Sequence, residues 1–259
     1  MASGSSAPEP TERFSDRVDD YVRYRPSYPV GVIDTLKCDA GLGPHAVVAD
    51  VGSGTGLFTQ QLLPHVAQVF AVEPNEPMRT AAERHLAGQA GFTSINGTAE
   101  ATGLAAATVD LVTAAQAFHW FKVPVCRREF IRILRPSGRV ALIWNERQTT
   151  TTPFLAAYEA LVKRHALGYD QVKHTNIDPA LLATFYGPAG YATTEFPNEQ
   201  RFDLPGLQGR LLSSSYAPKA GHPGHAPMMA ELTDIFARHA ETGTVALRYT
   251  TKLYLGGLS

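Results

Sequence analysis

A glycine-rich segment preceded by an acidic residue is the part of this sequence best suited to bind a ligand. It runs from Asp50 to Gly56 as D-V-G-S-G-T-G, after the apolar run 46–51 and before a predicted helix. Glycines at a strand-to-helix turn let a ligand lie against the backbone, where a Cβ would intrude. The dinucleotide fingerprint needs its third glycine at position 57, which is Leu57. The spacing therefore disfavours a dinucleotide, a ligand that would bind here through its pyrophosphate group. The Asp50 carboxylate either complements a ligand with cationic groups or caps the turn.

A second acidic residue follows the next predicted strand. Glu73 lies at the end of the apolar run 68–74, 17 residues after Gly56. A carboxylate at this position can accept hydrogen bonds from both hydroxyls of a ribose, as it does in dinucleotide sites. An isolated glutamate would be solvated surface, but its pairing with the glycine loop favours ribose binding. Met78, on the helix that follows, either packs its polarizable sulfur against an adenine ring or belongs to the core.

Six short motifs together resemble the class I S-adenosylmethionine (SAM)-dependent methyltransferases, specifically the type 11 subgroup that includes trans-aconitate and related small-molecule methyltransferases. They are Y-R-P-S-Y-P (24–29), D-V-G-S-G-T-G (50–56), V-E-P-N (72–75), G-T-A-E (97–100), A-Q-A-F-H-W-F (115–121) and I-L-R-P-S-G-R-V (133–140). The match covers nearly the whole chain. The combination is specific for SAM binding and only weakly specific for the methyl acceptor.

The resemblance implies a set of cofactor contacts. Around the methionyl part of SAM these are Asp50 and the loop residues Gly52, Ser53, Gly54 and Gly56, with Gln116 beside them at the end of the fourth predicted strand. Glu73 would bind the ribose, and Pro74 and Met78 follow it on the same loop and helix. Arg25 would pair with the SAM carboxylate, or it is an ordinary surface arginine.

Adenine recognition departs from the pattern of the family. The family carries G-D-A after the third strand, where the acid contacts the adenine amino group and the alanine backbone contacts a ring nitrogen. This chain carries Gly97-Thr98-Ala99-Glu100 at that place. The resemblance therefore assigns adenine recognition to the Thr98 hydroxyl, to Glu100, or to the backbone at Ala99.

The methyl-transfer side is expected to be lined by aromatic residues and one histidine. His119 is the candidate general base for a hydroxyl or amine acceptor, whereas a carboxylate acceptor needs no base; the alternative for His119 is a structural hydrogen bond. Phe118 and Trp120 are candidates for substrate contact or for core packing, and Tyr24 and Tyr216 are further substrate-side candidates. We expect no metal site, because His222 and His225 supply only two ligands.

The elements that must position these residues alternate along the chain. Apolar runs at 46–51, 68–74, 92–97, 109–117 and 139–145 alternate with helical stretches, which indicates a parallel sheet covered on both faces. Further strands are predicted near 192–203 and 245–257, with helices at about 205–216 and 226–240 between them. We therefore predict an α/β, Rossmann-like, doubly wound and mostly parallel seven-stranded sheet with an α-helical insertion after the fifth strand.

The domain organisation is predicted as one SAM-dependent methyltransferase domain spanning 1–259. Its parts are a disordered tail and lid (1–35), a SAM-binding core (46–147), an insertion (148–190), and the last strands with the substrate-side helices (191–259). Within the lid, Phe14, Val18, Tyr21 and Val22 form the apolar stripe of a predicted amphipathic helix.

Composition and charge disfavour several classes of partner. A net charge of −1 gives no general attraction for nucleic acid or an anionic membrane, and no apolar run reaches the length of a membrane span. Two cysteines without a CxxC pattern, and the lack of a signal peptide, favour the reducing cytoplasm. We expect a cytoplasmic monomer or homodimer that methylates a small molecule by SN2 displacement. A nucleic-acid methyltransferase and a SAM-binding protein without transfer activity are the alternatives.

Overall fold

A computed structural model of the chain describes residues 23–167, 178–214 and 216–258. The predicted amphipathic helix at Phe14 to Val22 lies outside the described residues, as does the segment 168–177. Within the described residues, no helix is both long enough and apolar enough to cross a membrane.

The described strands form one seven-stranded sheet in the order β3-β2-β1-β4-β5-β7-β6. They are β1 (Val47–Val51), β2 (Gln68–Val72), β3 (Phe92–Ile95), β4 (Val109–Ala115), β5 (Leu134–Arg147), β6 (Tyr191–Phe202) and β7 (Val245–Gly256). The first five strands are parallel, whereas β7 is antiparallel to both β5 and β6. The predicted α/β, mostly parallel, seven-stranded fold is confirmed.

Eight α-helices of the described residues connect these strands. They are α1 (Val30–Asp39), α2 (Leu57–Leu62), α3 (Glu76–His85), α4 (Val123–Ile133), α5 (Pro153–His165), α6 (Pro179–Tyr186), α7 (Leu204–Leu212) and α8 (His225–His239). Several begin at a side-chain cap followed by proline at the first or second helical position: Asn75, Thr152, Asp178 and Asp203 each accept a backbone N–H. Such caps satisfy donors that a helix leaves open at its N-terminus.

The fifth strand is longer than the sequence pattern predicts. The apolar run places it at 139–145, but β5 begins at Leu134, directly after α4, and includes Pro136 and Gly138. The pairing between β4 and β5 shifts register between Val109 and Leu111, and Ser137 has a φ of 67°. This bulge accommodates Pro136 and Gly138, residue types that normally end a helix or interrupt a strand.

Helices cover both faces of the sheet, as a parallel sheet requires. On one face α4 and α6 bury Phe130 and Phe185, and on the other α1 and α2 bury Leu36 and Leu62. A third cluster joins α5, α7 and α8 to β7 around the buried ring of Tyr249. Because α1 is part of the core from residue 30 onward, only the residues before it remain candidates for the predicted lid.

Candidate functional site

The glycine loop after β1 adopts a backbone that requires glycine. Gly52, Gly54 and Gly56 have positive φ values of 69°, 57° and 83°, in the left-handed region that side chains rarely adopt. A Cβ on Gly52 would lie 2.5 Å from the Cβ of Ala117, in the turn after β4. Among the described residues, a Cβ on Gly54 would approach only the Met78 Sδ, at 3.9 Å. Gly54 therefore borders open space beside Met78, where a ligand can reach its backbone.

Asp50, near the end of β1, is oriented by two threonines. Its Oδ2 accepts a hydrogen bond from the Thr59 hydroxyl on α2 at 2.7 Å, and its Oδ1 accepts one from the Thr113 hydroxyl on β4 at 2.8 Å. Burial raises the pKa of the Asp50 carboxyl to about 6, although both hydrogen bonds act to lower it. A carboxylate can accept about four hydrogen bonds. Asp50 therefore keeps capacity for a cationic ligand.

Glu73, directly after β2, joins the second strand to the glycine loop. Its Oε2 accepts a hydrogen bond from the Gly54 N–H at 2.9 Å, and its Oε1 accepts one from the Asn75 N–H at 2.8 Å. Burial raises the pKa of this carboxyl, while the two backbone bonds act to lower it. Each oxygen retains acceptor capacity, so the pair can receive both hydroxyls of a ribose. Pro74, between Glu73 and Asn75, is half-buried.

Two hydroxyls of the glycine loop are buried without a hydrogen-bond partner among the described residues. They are the Ser53 Oγ and the Thr55 Oγ1. A buried polar group without a partner costs about 1–3 kcal/mol, and native proteins rarely leave one without a reason such as ligand binding. Both hydroxyls therefore fit a loop that binds a polar cofactor.

Gln116, directly after β4, has a strained backbone. Its φ is 58°, and a non-glycine residue in such a region costs about 1–3 kcal/mol and is frequent at ligand sites. Its N–H donates to the Ile143 carbonyl at 2.9 Å, and its Nε2 donates to the Asn145 carbonyl at 3.0 Å. The strand order reverses between β1 and β4, and ligands of doubly wound sheets bind in the crevice at such a switch. Gln116 and the glycine loop lie at that crevice.

The adenine candidates after β3 take part in the local fold. The Thr98 Oγ1 accepts a hydrogen bond from the Ala101 N–H at 3.2 Å, and the Glu100 Oε1 accepts one from the Lys122 N–H at 2.7 Å, just before α4. Ala99 is buried between them. Thr98 and Glu100 thus shape this turn whether or not they also contact a cofactor.

Residues 24–29, named here the covering segment, cross the carboxyl edge of the sheet. Their backbone carbonyls accept hydrogen bonds from amide side chains of α2, β5 and β6, and the ring of Tyr28 is buried against Phe58, with centroids 5.0 Å apart. The Tyr24 carbonyl accepts from the Gln200 side chain at 3.2 Å. The Ser27 carbonyl accepts from Asn145 at 3.2 Å and from Asn198 at 2.8 Å. The Tyr28 carbonyl accepts from Gln61 at 2.9 Å. Because the Asn145 carbonyl also accepts from Gln116, this residue links the crevice to the covering segment.

The start of the covering segment packs on α7. The Tyr24 ring lies against Gly209, so closely that a Cβ on Gly209 would overlap it. The Arg25 Nη2 donates a hydrogen bond to the Ser213 carbonyl, just after α7, at 3.0 Å. Tyr216 follows on the same side and is half-buried against the third cluster. The structure therefore brings Tyr24, Arg25 and Tyr216 to one region around the end of α7.

The turn after β4 carries the remaining candidates. His119 lies in a 3-10 turn, with its ring centroid 4.3 Å from that of Trp120 and 5.1 Å from that of Trp144. His119 and Trp120 are both half-buried. Phe118 is 1% exposed and packs edge-on against Phe185, with centroids 4.9 Å apart. Its ring thus lies in the core, the alternative left open by the sequence.

The chain is similar to methyltransferases in sequence and in fold. A family model described as a methyltransferase domain matches residues 49–142. An uncharacterised methyltransferase-like protein of Schizosaccharomyces pombe is 30% identical over 248 residues, which are 93% of this chain and 93% of that protein. The chain belongs to the type 11 family of class I SAM-dependent methyltransferases.

Two further similarities agree with this family. An uncharacterised methyltransferase of Mycobacterium tuberculosis is 38% identical over 138 residues, which are 52% of each chain. A solved structure from Anaeromyxobacter dehalogenans, provisionally described as a type II methyltransferase, matches with a TM-score of 0.64 and 24% identity. The match covers 91% of this chain and 98% of that one, and it supports the fold.

The geometry of this methyltransferase site fits SAM. The glycine loop gives close access to backbone, two buried hydroxyls need partners, and two buried carboxylates retain acceptor capacity for the cationic and ribose groups. Among residues 23–167, 178–214 and 216–258, no cluster of three or more His, Cys, Asp or Glu side chains is placed to hold a metal ion.

Sequence reasoning missed residues that fix the site from a distance. Thr59 and Thr113 orient Asp50, and Asn145, Asn198 and Gln200 hold the covering segment. A polar residue at the carboxyl end of a strand, such as Asn145, is a usable signal because that edge binds ligands. Thr59 gives no such signal, because its partner Asp50 is reached only through the fold.

Proposed function

We propose that this methyltransferase transfers the methyl group of SAM to a small-molecule acceptor by direct in-line displacement. The observation that carries the proposal is the link between the covering segment and the crevice: the Asn145 side chain donates to the Ser27 carbonyl, and the Asn145 backbone carbonyl accepts from Gln116. An acceptor that reaches the crevice must fit beside this segment. Such an arrangement favours a small molecule over a nucleic-acid duplex, as does the net charge of −1.

The residues proposed to hold SAM follow from the geometry of the crevice. The Asp50 carboxylate would complement the cationic methionyl group, and Glu73 would accept hydrogen bonds from both ribose hydroxyls. The hydroxyls of Ser53 and Thr55 would form hydrogen bonds with the ligand. Gln116 would lie beside the methionyl group. Arg25 would reach the SAM carboxylate from the covering segment, and Met78 would pack beside the adenine.

The chain's contribution to catalysis is chiefly positioning. Bound SAM supplies a methyl group activated on a sulfonium. Holding the acceptor in line beside the turn that carries His119 and Trp120, and excluding water with the covering segment, lowers the barrier by orientation. A hydroxyl acceptor would give its proton to His119, whereas a carboxylate acceptor would need no base.

The proposal is tested by incubating the protein with SAM labelled in its methyl group and a pool of cellular metabolites and nucleic acids. We expect the label to move into the low-molecular-weight fraction, with S-adenosylhomocysteine released in equal amount, and we expect Glu73→Gln to slow this transfer. Label in nucleic acid would overturn the small-molecule proposal. SAM binding without label transfer to any fraction would leave a binding protein as the function.

A further inference from the structure

Arg79 on α3 connects two of the turns that form the proposed cofactor site. Its Nη1 donates hydrogen bonds to the Glu73 carbonyl at 3.0 Å and to the Pro74 carbonyl at 3.3 Å, both in the turn after β2. The same nitrogen donates to the Asn96 Oδ1 at 3.3 Å, directly after β3. One guanidinium therefore joins the turn of the ribose candidate to the turn of the adenine candidates.

Helix stability gives no reason for a buried cation at this position. The Arg79 side chain is 15% exposed, and it lies near the N-terminus of α3, where the helix dipole disfavours positive charge. Among the described residues its one ion pair is with Glu83, at 4.0 Å, and the Glu83 side chain is 47% exposed. A pair so long and so exposed contributes little. The burial of Arg79 is therefore explained by its contacts with the two turns.

Arg79 bonds to the carbonyl of Glu73 and leaves the carboxylate to other donors. Each carboxylate oxygen accepts one backbone hydrogen bond, from Gly54 or from Asn75, and within the described part of the chain the carboxylate forms no ion pair with Arg79. A carboxylate accepts about four hydrogen bonds, so two positions remain for ribose hydroxyls. A bidentate pair with arginine would occupy them. Arg79 thus adds charge beside Glu73 without competing with a ligand.

The charge of Arg79 acts on the Glu73 carboxyl. Burial raises the pKa of Glu73, and the backbone hydrogen bonds from Asn75 and Gly54 lower it. The positive charge of Arg79 also lowers this pKa, whereas the negative charge of Asp50 raises it. Two buried carboxylates in one site oppose each other's ionisation, and a cation beside them offsets this effect.

We propose that Arg79 is a positioning residue of the cofactor site, which keeps the Glu73 carboxylate charged for the ribose and fixes the turn after β2 against the turn after β3. This inference rests on the proposed function, because it takes Glu73 as the ribose ligand. Arg79 acts through Glu73 and not on SAM itself. Its loss must therefore affect recognition of the ribose hydroxyls more than recognition of the rest of the cofactor.

The test compares S-adenosylhomocysteine with its 2′-deoxy and 3′-deoxy analogues, each of which lacks one ribose hydroxyl. Binding to the full chain is measured by calorimetry at pH 8. We expect the wild type to bind S-adenosylhomocysteine about tenfold more tightly than either analogue, because each analogue loses a hydrogen bond to a charged acceptor. In Arg79→Met this preference should fall to about a third of its wild-type value. Arg84→Met, which removes an exposed arginine of the same helix, should keep it.

The pH dependence of binding separates the charge of Arg79 from a structural role. Glu73 accepts both hydroxyls as a carboxylate, so binding of S-adenosylhomocysteine weakens as the pH falls through the pKa of Glu73. Without Arg79 this pKa is higher, and the loss of affinity should begin at a higher pH in Arg79→Met than in the wild type. Arg79 is not among the groups that shift the pKa of Asp50, so Asp50 titrates alike in both proteins. Arg79→Lys keeps the charge and should restore the wild-type profile.

A second variant keeps the test decisive if Arg79→Met does not fold. Arg79→Gln removes the charge but retains an amide that can donate to the two turns. We expect this variant to show the same reduced preference for the ribose hydroxyls and the same shift of the pH profile.

The inference is overturned if the wild type binds the deoxy analogues as tightly as S-adenosylhomocysteine, or if Arg79→Met binds all three ligands like the wild type. It is also overturned if Arg79→Met weakens all three by the same factor at every pH, or if Arg79→Lys does not restore the wild-type profile. None of these results bears on the use of SAM as methyl donor. If S-adenosylhomocysteine itself fails to bind the wild type, the proposed function fails instead.

Discussion

Replacing Asp50 with asparagine tests the electrostatics at the centre of the proposed cofactor site. The carboxyl is 1% exposed and its pKa rises from 3.8 to about 6, chiefly because burial disfavours the charged form. One pKa unit corresponds to about 1.4 kcal/mol, so ionised Asp50 costs the folded protein about 3 kcal/mol relative to the unfolded chain. Asparagine has the same shape and carries no charge, and both threonine hydroxyls can rotate to bond with it.

The sign of the pH dependence follows from proton binding. Between about pH 4 and pH 6 the folded protein holds a proton on Asp50 that the unfolded chain has released. The contribution of this group to the free energy of unfolding is therefore present below pH 4 and lost as the pH rises through 6. We expect Asp50→Asn to be more stable than the wild type by up to about 3 kcal/mol at pH 7–8. The advantage should shrink to nearly zero at pH 4.

Urea unfolding of both proteins at pH 4, 5, 6, 7 and 8 measures this difference. Other titrating groups affect both proteins alike, so their contributions cancel in the difference. One example is Glu129, whose pKa is lowered to about 2, chiefly by its hydrogen bond with Arg132. A parallel titration with SAM should show weaker binding by Asp50→Asn at pH 8, because the variant has lost the charge that we propose complements the cofactor. A stability difference that stays constant from pH 4 to 7, or one that favours the wild type at pH 8, would refute the reasoning.

Other perturbations address the rest of the site. Glu73→Gln should weaken SAM binding by about 1–3 kcal/mol, because two ribose hydroxyls lose a charged acceptor; an unchanged Kd in a folded variant would contradict the ribose assignment. Gly209→Ala should slow turnover because the new Cβ displaces the Tyr24 ring, and it should not lower the free energy of unfolding because alanine favours the helix by up to about 1 kcal/mol. The same change in a Tyr24→Ala background should have little further effect on turnover. Equal slowing in both backgrounds would count against this contact. Removing residues 1–29 should abolish turnover, while the sheet still folds and weak SAM binding survives. In the full chain, S-adenosylhomocysteine should protect this segment from proteolysis. Failure of the truncated protein to fold would make the segment part of the core. Calorimetry should show binding of S-adenosylhomocysteine and none of NAD, because Leu57 stands where the dinucleotide fingerprint needs glycine; tighter binding of NAD would overturn the cofactor assignment.

The fold was predictable where local pattern and tertiary structure agree. Each buried parallel strand is a continuous apolar run, so β1, β2 and β4 were located to within a few residues, and the glycine loop followed from its position after β1. The start of β5 was wrong because Pro136 and Gly138 are normally breakers. A bulge with a left-handed Ser137 accommodates them, and only the pairing with β4 reveals it.

The site was predictable only as far as each residue acts alone. Gly54 and Glu73 carry their signal in residue type and spacing, and their placement side by side agrees with it. The core position of Phe118 depends on Phe185, 67 positions later in the chain. Such properties arise from packing.

The position of β7 in the sheet constrains how the protein is made. β6 pairs only with β7 among the described strands, and β7 separates it from β5. Strands β1 to β5 can pair once residue 147 has left the ribosome, but β6 must wait without a neighbour until β7 emerges. The chain grows by 54 residues from the end of β6 at Phe202 to the end of β7 at Gly256, so at ~5–20 residues per second this delay lasts roughly 3–11 seconds. During synthesis, β6 therefore exposes open strand edges while β1 to β5 are already able to pair, and damage to β7 would expose those edges permanently.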